Sequence, residues 1–220
     1  MPIAQDKDNS RKMIFVDIVD IFSPLFIAGV AGAYLLGAVP SAVIISRLMR
    51  LPDPRSYGSG NVGATNVARS GNRIAAILTL LADGGKGAAA VFLAAVWLAG
   101  LPGLAEAPAA AGFAAVLGHV TSPFLRFRGG RGVATALAVI ASLQPVPGLA
   151  ALGIWAAVFA VSRYSSLASL CATTAATALY VAFAPPAQAV AVAAINLLII
   201  VRHADNIRRL FAGEEGGFKR

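Results

Sequence analysis

Seven apolar runs alternate with polar stretches along the chain: residues 24–49, 73–100, 104–124, 132–143, 147–162, 165–184 and 186–201. Each predicts a helix, because a helix satisfies its own backbone N–H and C=O groups in lipid and about 20 apolar residues suffice to cross. Runs four and five are short and border Pro145 and Pro147, so they read either as one kinked helix or as two short tilted ones. Basic residues decide between these. Arg50, Arg55 and Arg69 follow the first run, Arg126, Arg128 and Arg131 the third, Arg163 the fifth, and Arg202, Arg208, Arg209, Lys219 and Arg220 the seventh. The alternate gaps near 101–103, 144–146 and 185 hold no Lys or Arg. The excess of cations on cytoplasmic loops therefore favours two helices for runs four and five. The expected fold class is an all-α integral membrane protein, a seven-transmembrane-helix bundle with its N-terminus outside and its C-terminus cytoplasmic.

Composition agrees with a membrane domain. The 220 residues are 58% hydrophobic and 13% charged, with a mean hydropathy of +0.75. Soluble domains run nearer 45–50% apolar and about 25% charged. The net charge of +8 would suit nucleic acid, but the basic residues cluster between apolar runs instead of forming a stripe, so no nucleic-acid partner is expected. Residues 1–23 read as an N-terminal tail whose segment 13–22 could lie in the membrane interface, 24–201 as the membrane domain, and 202–220 as a cytoplasmic C-terminal segment. Asp17 and Asp20 interrupt the first apolar stretch, which argues against a cleavable signal peptide. The single cysteine, Cys171, excludes an intrachain disulfide and reads as a small packed side chain. No spacing of His, Cys and carboxylates suggests a metal.

The expected topology brings three polar segments to one membrane surface. The first, residues 53–72, carries Ser59, Asn61, Gly63, Thr65, Asn66 and Arg69. Its Gly and Asn residues permit turns that aim several N–H groups at one anion. Its G-x-G-x-x-G string lacks the strand that a dinucleotide site needs. The second, residues 118–135, places Gly129-Gly130-Arg131-Gly132 just before run four and includes His119 and Thr135. A glycine loop feeding a helix N-terminus is a phosphate site in waiting, although the Walker A pattern is absent. A related string in run two sets Asp83 and Lys86 among glycines, charges that are costly in a membrane unless they act or pair with each other. The third segment, residues 202–218, has His203, Asn206 and Arg209 at helical spacing on one face. No serine-hydrolase elbow or triad is present.

Together, SGNVGATN with Arg69, GGRGVAT after GH-x-x-x-P-F, and H-x-x-N-I-x-R-L-x-x-G-x-E from His203 to Glu215 resemble the bacterial acyl-phosphate:glycerol-3-phosphate acyltransferase family. The resemblance runs from about residue 32 to 217. It implies a seven-helix fold in the bacterial cytoplasmic (inner) membrane with the active site facing the cytoplasm. It further implies transfer of a fatty acyl group from acyl-phosphate to glycerol 3-phosphate, giving lysophosphatidic acid and phosphate, the first acylation of phospholipid synthesis. No cofactor is implied; the partners are the two substrates and membrane lipid. Ser59, Asn61, His203 and Asn206 become catalytic candidates. Substrate contacts are expected from Ser59, Gly63, Thr65, Asn66, Arg69, Asp83, Lys86, His119, Gly129, Gly130, Arg131, Gly132, Thr135, Arg209 and Glu215. Among these, Arg69, Lys86 and Arg131 are candidates for phosphate, and Ser59, Thr65 and Asn66 for orienting the acceptor. His203, His119 or a substrate phosphate oxygen would act as base. Arg131 departs from the family's usual GGKG lysine, exchanging a point charge for a planar fork. A transporter of a phosphorylated metabolite is the alternative from another class, but it would place its site near mid-membrane within repeated halves.

Overall fold

A computed structural model describes residues 23–217, so the expectations for the tail, including its interfacial segment, and for Lys219 and Arg220 lie outside the described residues. All regular structure among the described residues is helical. The longer helices are α1 (Pro24–Ala38), α2 (Ser41–Leu48), α4 (Arg73–Trp97), α5 (Ala107–Val120), α6 (Val133–Leu143), α7 (Pro145–Ser162), α8 (Ser165–Phe183), α9 (Pro186–Arg202) and α10 (Ala204–Phe211). A four-residue helix, α3 (Ala64–Val67), lies in the loop between α2 and α4.

Four helices are long and apolar enough to cross a membrane: α4, α5 with its following turn, α7 and α8. The number rises to six if α1 with α2, and α9 with α10, each count as one bent span. The first apolar run is thus not one straight helix. It breaks before Pro40, which has no N–H to continue the ladder, and the two halves meet at 41°. Runs four and five are two helices, separated at Gln144, whose backbone is extended. With eleven residues, α6 is only about 16 Å long at 1.5 Å per residue, half a bilayer core.

That short helix is the hub. It packs against α4, α5, α7, α8 and α9, and Thr135, Ala136, Val139 and Ile140 on it are fully buried. Outward faces are apolar: Trp97 is 73% exposed and Val161 88%, as expected of side chains that meet lipid. Lipid gives no hydrophobic drive for helices to associate, so close packing of small side chains takes over. Ala33, Ala90, Ala94, Ala111, Ala114 and Ala115 accordingly form the core where α1, α4 and α5 meet. At the α1–α5 crossing Gly37 lies against the backbone of Ala115, and Gly118 against that of Tyr34. The α1–α5 contact leads directly to the loop after α5, so it also sets the height of the site described below.

Because backbone cannot step aside as a flexible side chain can, Gly37→Ala and Gly118→Ala should each lower stability by about 1–3 kcal/mol, the usual cost of overpacking. Gly153→Ala, on α7 with nothing within 4 Å of the added methyl, should be neutral. Thermal unfolding of the purified protein in detergent distinguishes them; equal midpoints for all three variants would contradict this account of the crossing.

Candidate functional site

At the polar end of the bundle two cavities meet. One, of about 370 Å³, is mainly apolar and is lined by Leu80, Leu137, Leu152, Trp155 and Ala156, with His203, His119 and Asp83 at its polar margin. The other, of about 640 Å³, is lined mainly by polar groups including Ser59, Asn66, Arg69, Arg202, Asn206 and Arg209. Asn61, Thr65, Arg131 and Ser165 line both. The site is therefore a polar chamber joined to an apolar one through four side chains.

The loop before α4 is built around Asn66. Its amide nitrogen donates to the carbonyls of Pro54 at 2.7 Å and Tyr57 at 3.2 Å, and its oxygen accepts from the Ser59 N–H at 2.9 Å and hydroxyl at 3.2 Å. Gly58 turns in the left-handed region beside it, where a Cβ would strike the Asn66 side chain. Asn66 lines the polar cavity, yet its amide is occupied in folding the loop, so the expected role in orienting a substrate does not fit its contacts. Ser59, Asn61, Thr65 and Arg69 remain as the loop's cavity groups. The Thr65 hydroxyl lies 3.2 Å from that of Ser165, which ties the loop to the start of α8.

The glycine loop before α6 differs from expectation in a similar way. Its Gly129 and Gly130 N–H groups donate to the carbonyls of Val120 and His119, each at 3.1 Å, and so turn away from any ligand. What faces the apolar cavity instead is the start of α6 itself. Gly132 adopts the left-handed conformation at its N-cap, with no side chain capping the helix, and Gly132, Val133 and Ala134 line the cavity. First-turn N–H groups lack intrahelical acceptors, and the helix dipole adds partial positive charge there.

Lys86 does not reach either cavity. Its ammonium lies 2.9 Å from Asp83 Oδ1 and donates to the Val39 carbonyl at 3.0 Å. The i, i+3 pair is the self-neutralising reading of these two charges, and it holds the Lys86 ammonium away from the two cavities where a phosphate contact was expected. The Thr135 hydroxyl donates to the Asp83 carbonyl at 2.8 Å, which fixes α6 against α4.

The third segment closes the polar chamber. Glu215 accepts from the Ser166 hydroxyl and the Asn206 amide, both at 2.6 Å, and from Arg209 Nε at 2.9 Å. Partial burial raises its pKa, but these three hydrogen bonds outweigh that and hold the carboxyl below the usual glutamate value. Arg69 donates to the Gly216 carbonyl at 3.3 Å. Asn206 is 3% exposed, and its side-chain oxygen has no hydrogen-bond partner among the described residues. His203, 1% exposed, places Nδ1 2.8 Å from the Ile199 carbonyl. A carbonyl can only accept, so Nδ1 carries the proton and Nε2 keeps its lone pair. Burial, with Arg131 and Arg202 nearby, outweighs the carbonyl and Glu215 and pulls the imidazole pKa down to about 4. The ring is neutral at pH 7.

Charge at this site is unbalanced. Burial lowers the pKa of Arg131; Glu215 opposes this, and the nearby Arg209, Arg69 and Arg202 add to it. The side chain of Arg131 makes no ion pair or hydrogen bond among the described residues. Four guanidiniums thus share the chamber with three carboxylates, Asp205, Glu214 and Glu215, a net positive lining that an anion relieves. Arg202, whose guanidinium donates to the Gly129 carbonyl at 3.0 Å, was not among the residues expected from sequence, nor were Ser165 and Ser166. The polar string Ser162-Arg163-Tyr164-Ser165-Ser166 between two apolar runs was their signal. Trp155 gave none, since an aromatic residue within an apolar run reads as lipid-facing.

Comparison with known proteins places this geometry. A family model described as glycerol-3-phosphate acyltransferase matches residues 27–213. The glycerol-3-phosphate acyltransferase of Laribacter hongkongensis (strain HLHK9) is 47% identical over 197 residues, covering 88% of this chain and 98% of that protein. The glycerol-3-phosphate acyltransferase of Aromatoleum aromaticum (strain DSM 19018 / LMG 30748 / EbN1) is 50% identical over 193 residues, covering 86% and 95%. Among solved structures, PlsY (YgiH), an integral membrane glycerol 3-phosphate acyltransferase, matches in its glycerol 3-phosphate form with a TM-score of 0.81 and 37% identity over 88% of this chain and 96% of that one. Its lysophosphatidic acid form matches with a TM-score of 0.79, 36% identity and coverage of 88% and 95%. Motif order, coverage and identity agree, and the chain belongs to the glycerol-3-phosphate acyltransferase family.

Proposed function

We propose that this protein transfers a fatty acyl group from acyl-phosphate to glycerol 3-phosphate, releasing lysophosphatidic acid and phosphate at the cytoplasmic face of the bacterial inner membrane. The observation that carries this reading is the junction of a polar, arginine-rich chamber with an apolar one at Asn61, Thr65, Arg131 and Ser165. A phosphorylated, water-soluble acceptor suits the first and a fatty acyl chain the second. The apolar cavity reaches Leu80 and Leu152, which are 50% and 44% exposed, so its wall is continuous with the lipid-facing surface of α4 and α7.

Arg69, Arg131, Arg202 and Arg209 bind the phosphates, and the α6 N-terminus adds N–H groups toward the donor. Ser59, Asn61 and Thr65 orient the acceptor, and the free oxygen of Asn206 accepts a glycerol hydroxyl. The attacking hydroxyl forms a C–O bond with the acyl carbon while the bond to phosphate breaks. The phosphate departs with the electron pair, and the hydroxyl proton passes to His203 Nε2. Acyl-phosphate is already activated, so no acyl-enzyme is needed, and holding the reactants together supplies up to about 7–11 kcal/mol. Seven spans are assigned by letting the bent α1–α2 pair cross once, α9 cross with α10 left outside the span, and the short α6 cross within the bundle. The N-terminus is then outside and the three polar segments cytoplasmic, where the cation excess lies.

Purified protein in detergent, supplied with acyl-phosphate and glycerol 3-phosphate, should release lysophosphatidic acid and phosphate in equal amounts, with acyl-CoA a poor donor. In the same assay His203→Asn should lower kcat by about 10²–10⁴, the usual loss on removing a general base. Turnover with acyl-CoA alone would sink the donor assignment, and near-normal kcat in His203→Asn would transfer the base role to a substrate phosphate oxygen.

Arg131→Lys should keep much of the activity, since the positive charge remains. Arg131→Gln should lose a charge-assisted contact of roughly 1.5–3 kcal/mol, about ten- to a hundred-fold in kcat/KM, expressed as a raised KM for one phosphorylated substrate. Unchanged kinetics for both substrates would reduce Arg131 to a topology signal.

Orientation is checked by single-cysteine labelling in a Cys171→Ala background. Ser56→Cys and Gly217→Cys should be shielded from an impermeant reagent in intact cells, and Ala105→Cys should react. The reverse pattern would invert the topology.

A further inference from the structure

The mechanism leaves one buried imidazole unused. His119, 7% exposed, ends α5 behind the glycine loop. Its Nδ1 side is engaged on two fronts. Asp83 Oδ1 lies 3.5 Å away and the Thr135 hydroxyl 3.4 Å away. The Thr135 proton is committed to the Asp83 carbonyl, so that hydroxyl can only accept from His119. Nδ1–H therefore points at a carboxylate and a hydroxyl oxygen, and the opposite edge of the ring, bearing Nε2, faces the loop.

That edge is where Gly130 sits. A Cβ built on Gly130 would collide with Nε2 and come within 3.1 Å of Cδ2 and 3.2 Å of Cε1. The His119 carbonyl also receives the Gly130 N–H, so one residue holds the loop by backbone and by ring at the same point. Two residues later the chain turns at Gly132 into α6, with Arg131 between. Loop position and, two residues on, the helix start are therefore referred to this ring. A base needs its lone pair aimed at open space next to the reacting hydroxyl, and on the Nε2 edge of this ring stands Gly130.

We propose that His119, oriented by Asp83, is a positioning residue whose Nε2 edge seats Gly130 and so sets where Arg131 and the α6 N-terminus meet the substrate phosphate. This rests on the acyltransferase reading of the same site. It assigns the glycine at 130 a reason different from close approach to a ligand: the space is needed for the imidazole.

A double-mutant comparison tests it. Gly130→Ala should raise KM for a phosphorylated substrate by about ten-fold or more, the pattern of lost binding contacts. His119→Asn keeps an N–H toward Asp83 but removes the Nε2 edge. It should show a smaller KM rise with kcat within about three-fold of wild type, because no reacting group is removed. In the double variant the methyl enters the vacated space, and KM should return to the His119→Asn level. A double variant as impaired as Gly130→Ala, or a kcat loss of about 10²–10⁴ in His119→Asn with KM unchanged, would overturn the proposal, the second outcome marking a base. His119→Ala serves as the alternative partner if the asparagine variant is not monodisperse in detergent. Thermal stabilisation of the same variants by inorganic phosphate should follow the KM order. If wild type makes no lysophosphatidic acid, the reaction assignment fails; the phosphate series then still decides for or against the seating of Gly130 by His119.

Discussion

The site depends on how two buried charges are accommodated inside an apolar bundle. Asp83 and Lys86 lie one helical turn apart on α4 with side chains 3% and 6% exposed, and removing either would leave the other uncompensated. Each is also tied to another helix. Lys86 donates to the Val39 carbonyl, which also accepts the Ser41 N–H, where α1 breaks into α2, while the Ser122 hydroxyl donates to the neighbouring Ala38 carbonyl at 2.6 Å. Pro40 creates that break, and in lipid an unpaired carbonyl costs several kcal/mol. Asp83 meets His119 through its carboxylate and Thr135 through its carbonyl. One ion pair therefore joins α1, α4, α5 and α6 at a single level, and the glycine loop hangs from that level.

Around this fixed point the cations and the carboxylate are placed by opposite means. Arg131 and Arg202 come from the starts and ends of helices, and Arg69 and Arg209 from the flanking loop and the short α10. Glu215 reaches them only because the chain turns back after α10 at Gly213, whose φ is +70°. Its three hydrogen bonds cross-link α8 and α10 to the last described residues and close one side of the polar chamber. Glu215 organises the cluster, and with Asp205 and Glu214 on the same chamber it still leaves the four guanidiniums in excess, which is the charge an anionic phosphate would answer.

Much of this was legible in the sequence because it follows from local rules. Apolar runs marked helices, Pro145 fell at the start of α7, and the break at Gln144 was one of two readings that the charge alternation had favoured. The segments carrying Ser59, Arg131 and His203 do converge. What sequence concealed was the direction of each polar group. Asn66 and Lys86 look like ligands for an anion until their partners are seen; Asn66 donates to the Pro54 carbonyl, and Lys86 to Asp83 and the Val39 carbonyl, groups that only the folded chain brings beside them. Gly129 and Gly130 looked like an N–H cradle, yet their donors face α5. The bend at Pro40 was hidden by treating residues 24–49 as one apolar run, since hydropathy does not register a missing N–H. Arg202 was counted only as a topology charge, because nothing in its spacing announces a contact 73 residues away with Gly129.

The boundary between the two chambers also explains why the shared residues are small or forked. An acyl carbon and a glycerol hydroxyl must touch although one arrives from lipid and the other from water. A bulky side chain at the junction would separate them, and an apolar one would leave phosphate oxygens without donors. Asn61, Thr65 and Ser165 are compact and hydrogen-bonding, and Arg131 brings charge on a long stem rooted outside the junction. Water excluded by the apolar wall strengthens each charge interaction at the reacting centre. It also limits hydrolysis of an activated donor. A site deeper in the membrane would exclude the acceptor, and one farther out would expose the donor. The shortness of α6 resolves this: with only eleven residues it starts inside the bundle, and its N-terminus stands where the two chambers meet.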